Sequence, residues 1–227
     1  MIQFLLNDTP IEEQECSPSL TILDWLRTKK GKVGTKEGCA TGDCGACTIL
    51  VGEEKTNSNG NPVWRYQTMN SCLLLLGNAH AKHIVTVEAV TTGLYPTLDD
   101  LHPVQRALVE CHGSQCGFCT PGIIMSMLAL YINNPSYPGK KAAIHALGGN
   151  LCRCTGYSPI LLAVEKAYSY ERKNEPYSAM AAQFKASLNT QYDDDVPFLK
   201  NGPRKFYLPQ NAKQLVELKA LYPHAHL

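Results

Sequence analysis

The sequence shows little that would suggest a membrane span, a basic surplus or a secretory leader. Its longest wholly apolar run, Met127 to Ile132, is far too short to cross a bilayer. Lys and Arg number 21 against 20 Asp and Glu, a net charge of +1, whereas duplex binding calls for a clear basic excess. The opening "MIQFLLNDTPIEEQE" has neither the basic n-region nor the small-residue cleavage site of a signal peptide. G-x-S-x-G, H-E-x-x-H, the P-loop and the G-x-G-x-x-G dinucleotide fingerprint are all missing. No internal repeat is present. Nucleic acid and membrane are therefore set aside as partners, and the expected location is the cytoplasm. The sequence reads as a carrier of electrons rather than a maker of substrate bonds.

Cysteine is plentiful instead, at ten in 227 residues. In a reducing compartment those thiols are metal ligands or catalytic groups before they are disulfides. Cys39, Cys44 and Cys47 follow C-x4-C-x2-C inside "GCATGDCGAC", and Cys72 comes later in "NSCLLLL". This is the spacing of a plant-type [2Fe–2S] ferredoxin. Gly38, Gly42 and Gly45 allow the backbone to turn closely, so that N–H groups can point at sulfur. Zinc is the competing occupant, but zinc sites more often use two close cysteine pairs or recruit histidine. The second set, Cys116 and Cys119 in "QCGFCTPG" with Cys152 and Cys154 in "GNLCRCTGYSP", is such a pair of pairs. By spacing alone it suits a tetrathiolate zinc ion or a second [2Fe–2S] cluster. Each pair precedes an expected helix N-terminus, whose positive end favours an anionic cluster.

Cys16 and Cys111 read as small buried apolar residues. His80 and His83 are spaced like a ligand pair, and His102, His112 and His145 are scattered, but surface or capping roles suit them better. Asp193 to Asp195 read as a solvated linker stretch.

The chain's texture divides it into four segments. Residues 1–90 are strand-like: "IQFLLN", a turn at "NDTP" and "IEEQEC" form a hairpin, "SLTILDWLRTKK" an amphipathic helix, and "CTILVG", "VWRYQTM" and "HIVTVEAV" further strands. Residues 91–170 are helical, with four short helices. Thr120 and Ser158 are the expected N-caps of two of them, each followed by proline, and Gly148 and Gly149 end a third. Residues 171–204 read as a linker rich in charge and proline. Residues 205–227 return to an amphipathic helix. The fold class is α+β, a sheet domain followed by a small helical bundle.

Taken together, "GTKEGCATGDCGACTIL", "NSCLLLL", "HGSQCGFCTPGIIMSML" and "GGNLCRCTGYSPI" resemble, in that order, the iron–sulfur part of the molybdenum hydroxylases. The likeness covers roughly residues 1–170 and is greatest to the family's xanthine-oxidising branch. It implies an N-terminal β-grasp ferredoxin-like domain and a four-helix domain, each with one [2Fe–2S] cluster, which decides the second set for iron. Cys39, Cys44, Cys47 and Cys72 would hold the cluster nearer the flavin, and Cys116, Cys119, Cys152 and Cys154 the one nearer molybdenum. Gln115 would contact the molybdopterin, held mainly by a separate large subunit. "FYLPQNAKQLVELKALYPHAHL" resembles the start of a flavin domain cut short, with FAD bound in the continuation of the chain. The activity implied is hydroxylation of hypoxanthine or xanthine on the partner subunit, with NAD+ as final acceptor. Zinc in a non-redox module, and a family member acting on aldehydes, carbon monoxide or N-heterocycles, are the alternatives.

Overall fold

A computed structural model describes residues 1–91, 93, 96–172, 175–188, 198–209 and 211–225. Five strands, β1 (Ile2–Leu6), β2 (Thr9–Glu13), β3 (Thr48–Thr56), β4 (Pro62–Asn70) and β5 (His83–Val85), form one sheet in the order β2-β1-β5-β3-β4. β1 runs parallel to β5, and every other pairing is antiparallel. The hairpin joining β1 to β2 turns at Asn7, whose φ is +57°, a conformation that asparagine tolerates better than most residues.

Alternation along the strands decides what each face covers. On β3, Ile49 and Val51 join Ile2, Phe4, Leu6 and Ile84 beneath α1 (Ile22–Thr28), around the fully buried Trp25. Leu50 and its cross-strand partner Val85 point the other way, into the core of the helical unit. Both faces of the sheet's centre are thus covered, which is why Thr48 to Gly52 are buried without a break. Thr21 caps α1, its hydroxyl accepting from Asp24 N–H at 3.1 Å.

The helical unit is α2 (Pro103–Glu110), α3 (Thr120–Asn133), α4 (Lys140–Leu147) and α5 (Ser158–Ala167). α3 is central. Ile123 and Ile124 lie in the core it shares with the sheet, and Met127, Leu128 and Tyr131 in the same buried cluster with α2 and α5. His102 caps α2, its Nδ1 accepting from Val104 N–H at 3.2 Å while Nε2 donates to Glu175 at 2.6 Å.

The architecture is the α+β arrangement expected, with local corrections. Thr120 and Ser158 open their helices rather than capping them. The Cys119 carbonyl takes Ile123 N–H, and Thr120's hydroxyl is engaged by Ser114. Before α5 the cap is Tyr157, at φ +68°. The strand expected over "HIVTVEAV" stops at Val85, after which Val87–Ala89 tighten into a 3-10 turn. His80 and His83 are buried at the sheet rather than exposed.

The stretch read as a linker carries α6 (Tyr177–Ser187). Tyr177, Ala181 and Phe184 bury one face of that helix, and Phe184 packs against Leu5 of β1. A hairpin of β6 (Phe198–Asn201) and β7 (Arg204–Tyr207) follows, inserting Leu199 into the core beside α1. α7 (Ala212–Leu221) ends the described chain with Val216 and Leu221 exposed. Asp193 to Asp195 lie outside the described residues.

Candidate metal centres

The loop from α1 to β3 carries Cys39, Cys44 and Cys47. It can coil tightly because Ala40, Gly42 and Gly45 take positive φ, at +55°, +84° and +69°. Coiling turns backbone donors inward: Thr41 and Cys44 N–H each reach Cys39 Sγ at 3.4 Å. The end of β4 delivers the fourth thiol. Ser71 anchors the strand end to the loop, its hydroxyl donating to the Cys47 carbonyl at 2.7 Å. Cys72 Sγ then lies 3.4 Å from Cys47 Sγ. Hydrogen bonds from Thr41, and then Cys44, hold the Cys39 thiol down to about 6. Burial, with the Cys47 thiol alongside, pushes Cys72 up to about 11.

The second set is assembled by two helix starts. Cys116 and Cys119 end the loop before α3, and Cys152 and Cys154 lie in the loop before α5. The thiols interact in pairs, Cys119 with Cys152 and Cys116 with Cys154. Burial raises Cys119 to about 12, with Cys152 beside it adding to the shift. Burial also works to raise Cys152, but Thr155, whose hydroxyl lies 3.2 Å from its sulfur, leads the hydrogen bonds that bring it down overall. Tyr157 fixes this loop by accepting Cys152 N–H at 2.9 Å. Cys152 is buried, while Cys116, Cys154 and Gln115 are exposed.

Among the described residues no three His, Cys, Asp or Glu side chains are grouped to hold a metal ion. The thiols come instead as couples within each set. A tetrathiolate zinc site draws four sulfurs to about 2.3 Å from one point. A two-iron cluster asks each iron for two thiolates, with sulfide between the irons. The donor chemistry and N–H groups aimed at sulfur fit the cluster.

The two sets are neighbours, through contacts that cysteine spacing does not reveal. Leu151 N–H donates to the Cys44 carbonyl at 2.9 Å, joining a residue adjacent to Cys152 to a member of the first set. Asn150 donates to the Gly45 carbonyl at 3.1 Å. Two glycines permit the approach. A Cβ on Gly45 would lie 2.1 Å from the Gly149 carbonyl oxygen, and one on Gly122 2.1 Å from that of Gly45. Cys16 and Cys111 stand apart from both sets, each partly buried against apolar neighbours.

Two cysteine-rich units, one sheet-based and one helical, define a two-cluster iron–sulfur electron-transfer protein, and known proteins agree. Residues 5–76 match the 2Fe-2S iron-sulfur cluster binding domain and residues 86–165 the [2Fe-2S] binding domain. Quinoline 2-oxidoreductase from Pseudomonas putida 86 superposes with a TM-score of 0.59 at 32% identity, over 82% of this chain and 96% of that one. Aldehyde oxidase 2 of Rattus norvegicus is 44% identical over 163 residues, 70% of this chain and 11% of the relative. Xanthine dehydrogenase of Calliphora vicina is 33% identical over 265 aligned positions, 99% of this chain and 19% of the relative. The chain belongs to the molybdenum hydroxylase family, as its iron–sulfur part. It spans less than a fifth of the length of these two curated relatives. Among the described residues no helix is long and apolar enough to cross a membrane.

Proposed function

We propose that this chain is the electron-transfer part of a cytoplasmic xanthine dehydrogenase. Electrons would pass one at a time from a molybdenum cofactor on a large partner subunit to FAD in the continuation of this chain, and from there to NAD+. Hypoxanthine or xanthine would be oxidised to urate on the partner, with water supplying the oxygen. The observation that carries this reading is the gathering of eight cysteines into two sets, paired within each and bridged by the Leu151–Cys44 hydrogen bond. Cys39, Cys44, Cys47 and Cys72 would hold one [2Fe–2S] cluster, and Cys116, Cys119, Cys152 and Cys154 the other. Each cluster supplies a one-electron iron couple, a role that redox-inert zinc cannot fill.

The chain's own contribution is to orient and shield. Thr41 and Cys44 N–H groups stabilise negative charge at the first sulfur set, and the N-terminal ends of α3 and α5 do the same at the second. Exposure of Gln115 beside Cys116 leaves it accessible to the molybdopterin of a docked partner. The xanthine assignment is supported by relatives that match nearly the whole chain, including the part after residue 170. Xanthine dehydrogenases of Calliphora vicina and Drosophila subobscura do so over 99% and 100%. A second reading, an aldehyde-oxidising enzyme, is favoured by the higher 44% identity to aldehyde oxidase 2.

The test has two parts. Purified protein is expected to be red-brown, bleached by dithionite, with about four irons and four acid-labile sulfides per chain. The assembled enzyme is expected to turn over xanthine with NAD+. A colourless zinc protein overturns the electron-transfer reading, and turnover of aldehydes without purines selects the second reading.

A further inference from the structure

Asn150 is a polar side chain only 4% exposed, set where three elements meet. Such a group is costly to bury unless its hydrogen bonds are made, and here they are. Ser126 on α3 donates its hydroxyl to Asn150 Oδ1 at 2.6 Å. Asn150 Nδ2 donates to the Gly45 carbonyl at 3.1 Å and meets Thr48 Oγ1 at 3.2 Å. Thr48 in turn donates its hydroxyl to the same Gly45 carbonyl at 2.7 Å. Asn150 therefore grips the loop of the first cysteine set at the residues either side of Ala46 and Cys47, while lying two residues before Cys152 of the second.

An apolar side chain could fill this space without requiring donors and acceptors on three elements. What the amide adds is direction, since dispersion contacts tolerate sliding and hydrogen bonds fix one register. The backbone bond from Leu151 N–H to the Cys44 carbonyl depends on that register. The separation it fixes matters because electronic coupling between two redox centres decays exponentially with distance.

We infer that Asn150 is a positioning residue for electron transfer, acting through Gly45, Thr48 and Ser126 to hold the two cluster loops at one separation and orientation. This rests on the reading that the eight cysteines hold two clusters.

The test uses the intact enzyme carrying this chain, with Asn150→Leu and the milder Ser126→Ala, which removes only the donor that orients the amide. The readouts are iron and sulfide content, the EPR g-values of each reduced cluster, and the dipolar splitting between them. The expected result is full iron content and unchanged individual g-values, with a changed or broadened splitting in both variants and slower electron re-equilibration between clusters. If Asn150→Leu does not fold, Ser126→Ala carries the test. Full iron with an unaltered splitting and unaltered re-equilibration would reduce Asn150 to a stability role and overturn the inference. Parent enzyme devoid of iron would instead overturn the cluster reading on which it rests.

Discussion

Lowering the pH should weaken the sheet at one identifiable residue, His83. Its ring is fully buried. Nε2 lies 2.7 Å from the Asn7 carbonyl and Nδ1 2.8 Å from the Tyr66 hydroxyl. A carbonyl can only accept, so Nε2 carries the hydrogen, and in the neutral ring Nδ1 accepts from Tyr66. Protonating Nδ1 would force the Tyr66 hydrogen to turn away and place a cation in the core. Burial therefore lowers the pKa from 6.5 to about 4, against the opposing pull of the Asn7 carbonyl. Below pH 6.5 the unfolded chain takes up a proton that the folded protein refuses until about pH 4, so stability falls as the pH drops through that window. From pH 7 to pH 5 the loss from this one group is about 2 kcal/mol. For a chain of this length that corresponds to about 4–8 °C in the thermal midpoint. The assay is the thermal midpoint at both pH values, in the parent and in His83→Gln, which cannot titrate. The variant should lack that share of the pH-induced drop. An identical drop in both proteins would show that His83 is not the group responsible.

The remaining predictions concern the metal centres. Cys47→Ser and Cys116→Ser should each cost one cluster, lowering iron from about four to about two per chain while the other cluster keeps its EPR signal. Cys16→Ser and Cys111→Ser should retain all the iron, and the assay is metal analysis beside EPR of each purified variant. Gly45→Ala places a side chain at φ +69° with its Cβ 2.1 Å from the Gly149 carbonyl oxygen. The left-handed conformation alone costs roughly 1–2 kcal/mol. Separation of the loops should add to this, so a lower thermal midpoint is expected together with reduced cluster retention. A variant with parental iron content and midpoint would show that the close approach is dispensable.

Much of this architecture was legible along the chain because it is local. The short apolar run Ile49, Leu50 and Val51 announces a strand, and "SLTILDWLRTKK" an amphipathic helix. The α6 helix is hard to read along the chain because exposed Ala179, Ala182 and Ala186 lie among its buried Tyr177, Ala181 and Phe184, so no clean apolar stripe marks it, and proline and charge flank it. Only contact with Leu5 and its neighbours reveals what that face is for. His80 and His83 read as surface or capping residues for a related reason: burial of a histidine depends on partners such as Tyr66 and Asn7, which are remote in sequence.

By itself the sequence points to the ligand chemistry. Thiolates at C-x4-C-x2-C, C-x2-C and C-x-C spacing, interleaved with glycine, mark metal-binding loops locally, whereas Cys72 joins Cys47, and Cys152 and Cys154 join Cys119 and Cys116, only through the fold. Tertiary structure alone decided that the loops face one another. The Leu151–Cys44 and Asn150–Gly45 hydrogen bonds join residues more than a hundred positions apart. They exist because the two faces of a single sheet bury different units, α1 beneath one and α3 against the other. Burial of both faces is a property of the packed whole, and no spacing of cysteines encodes it.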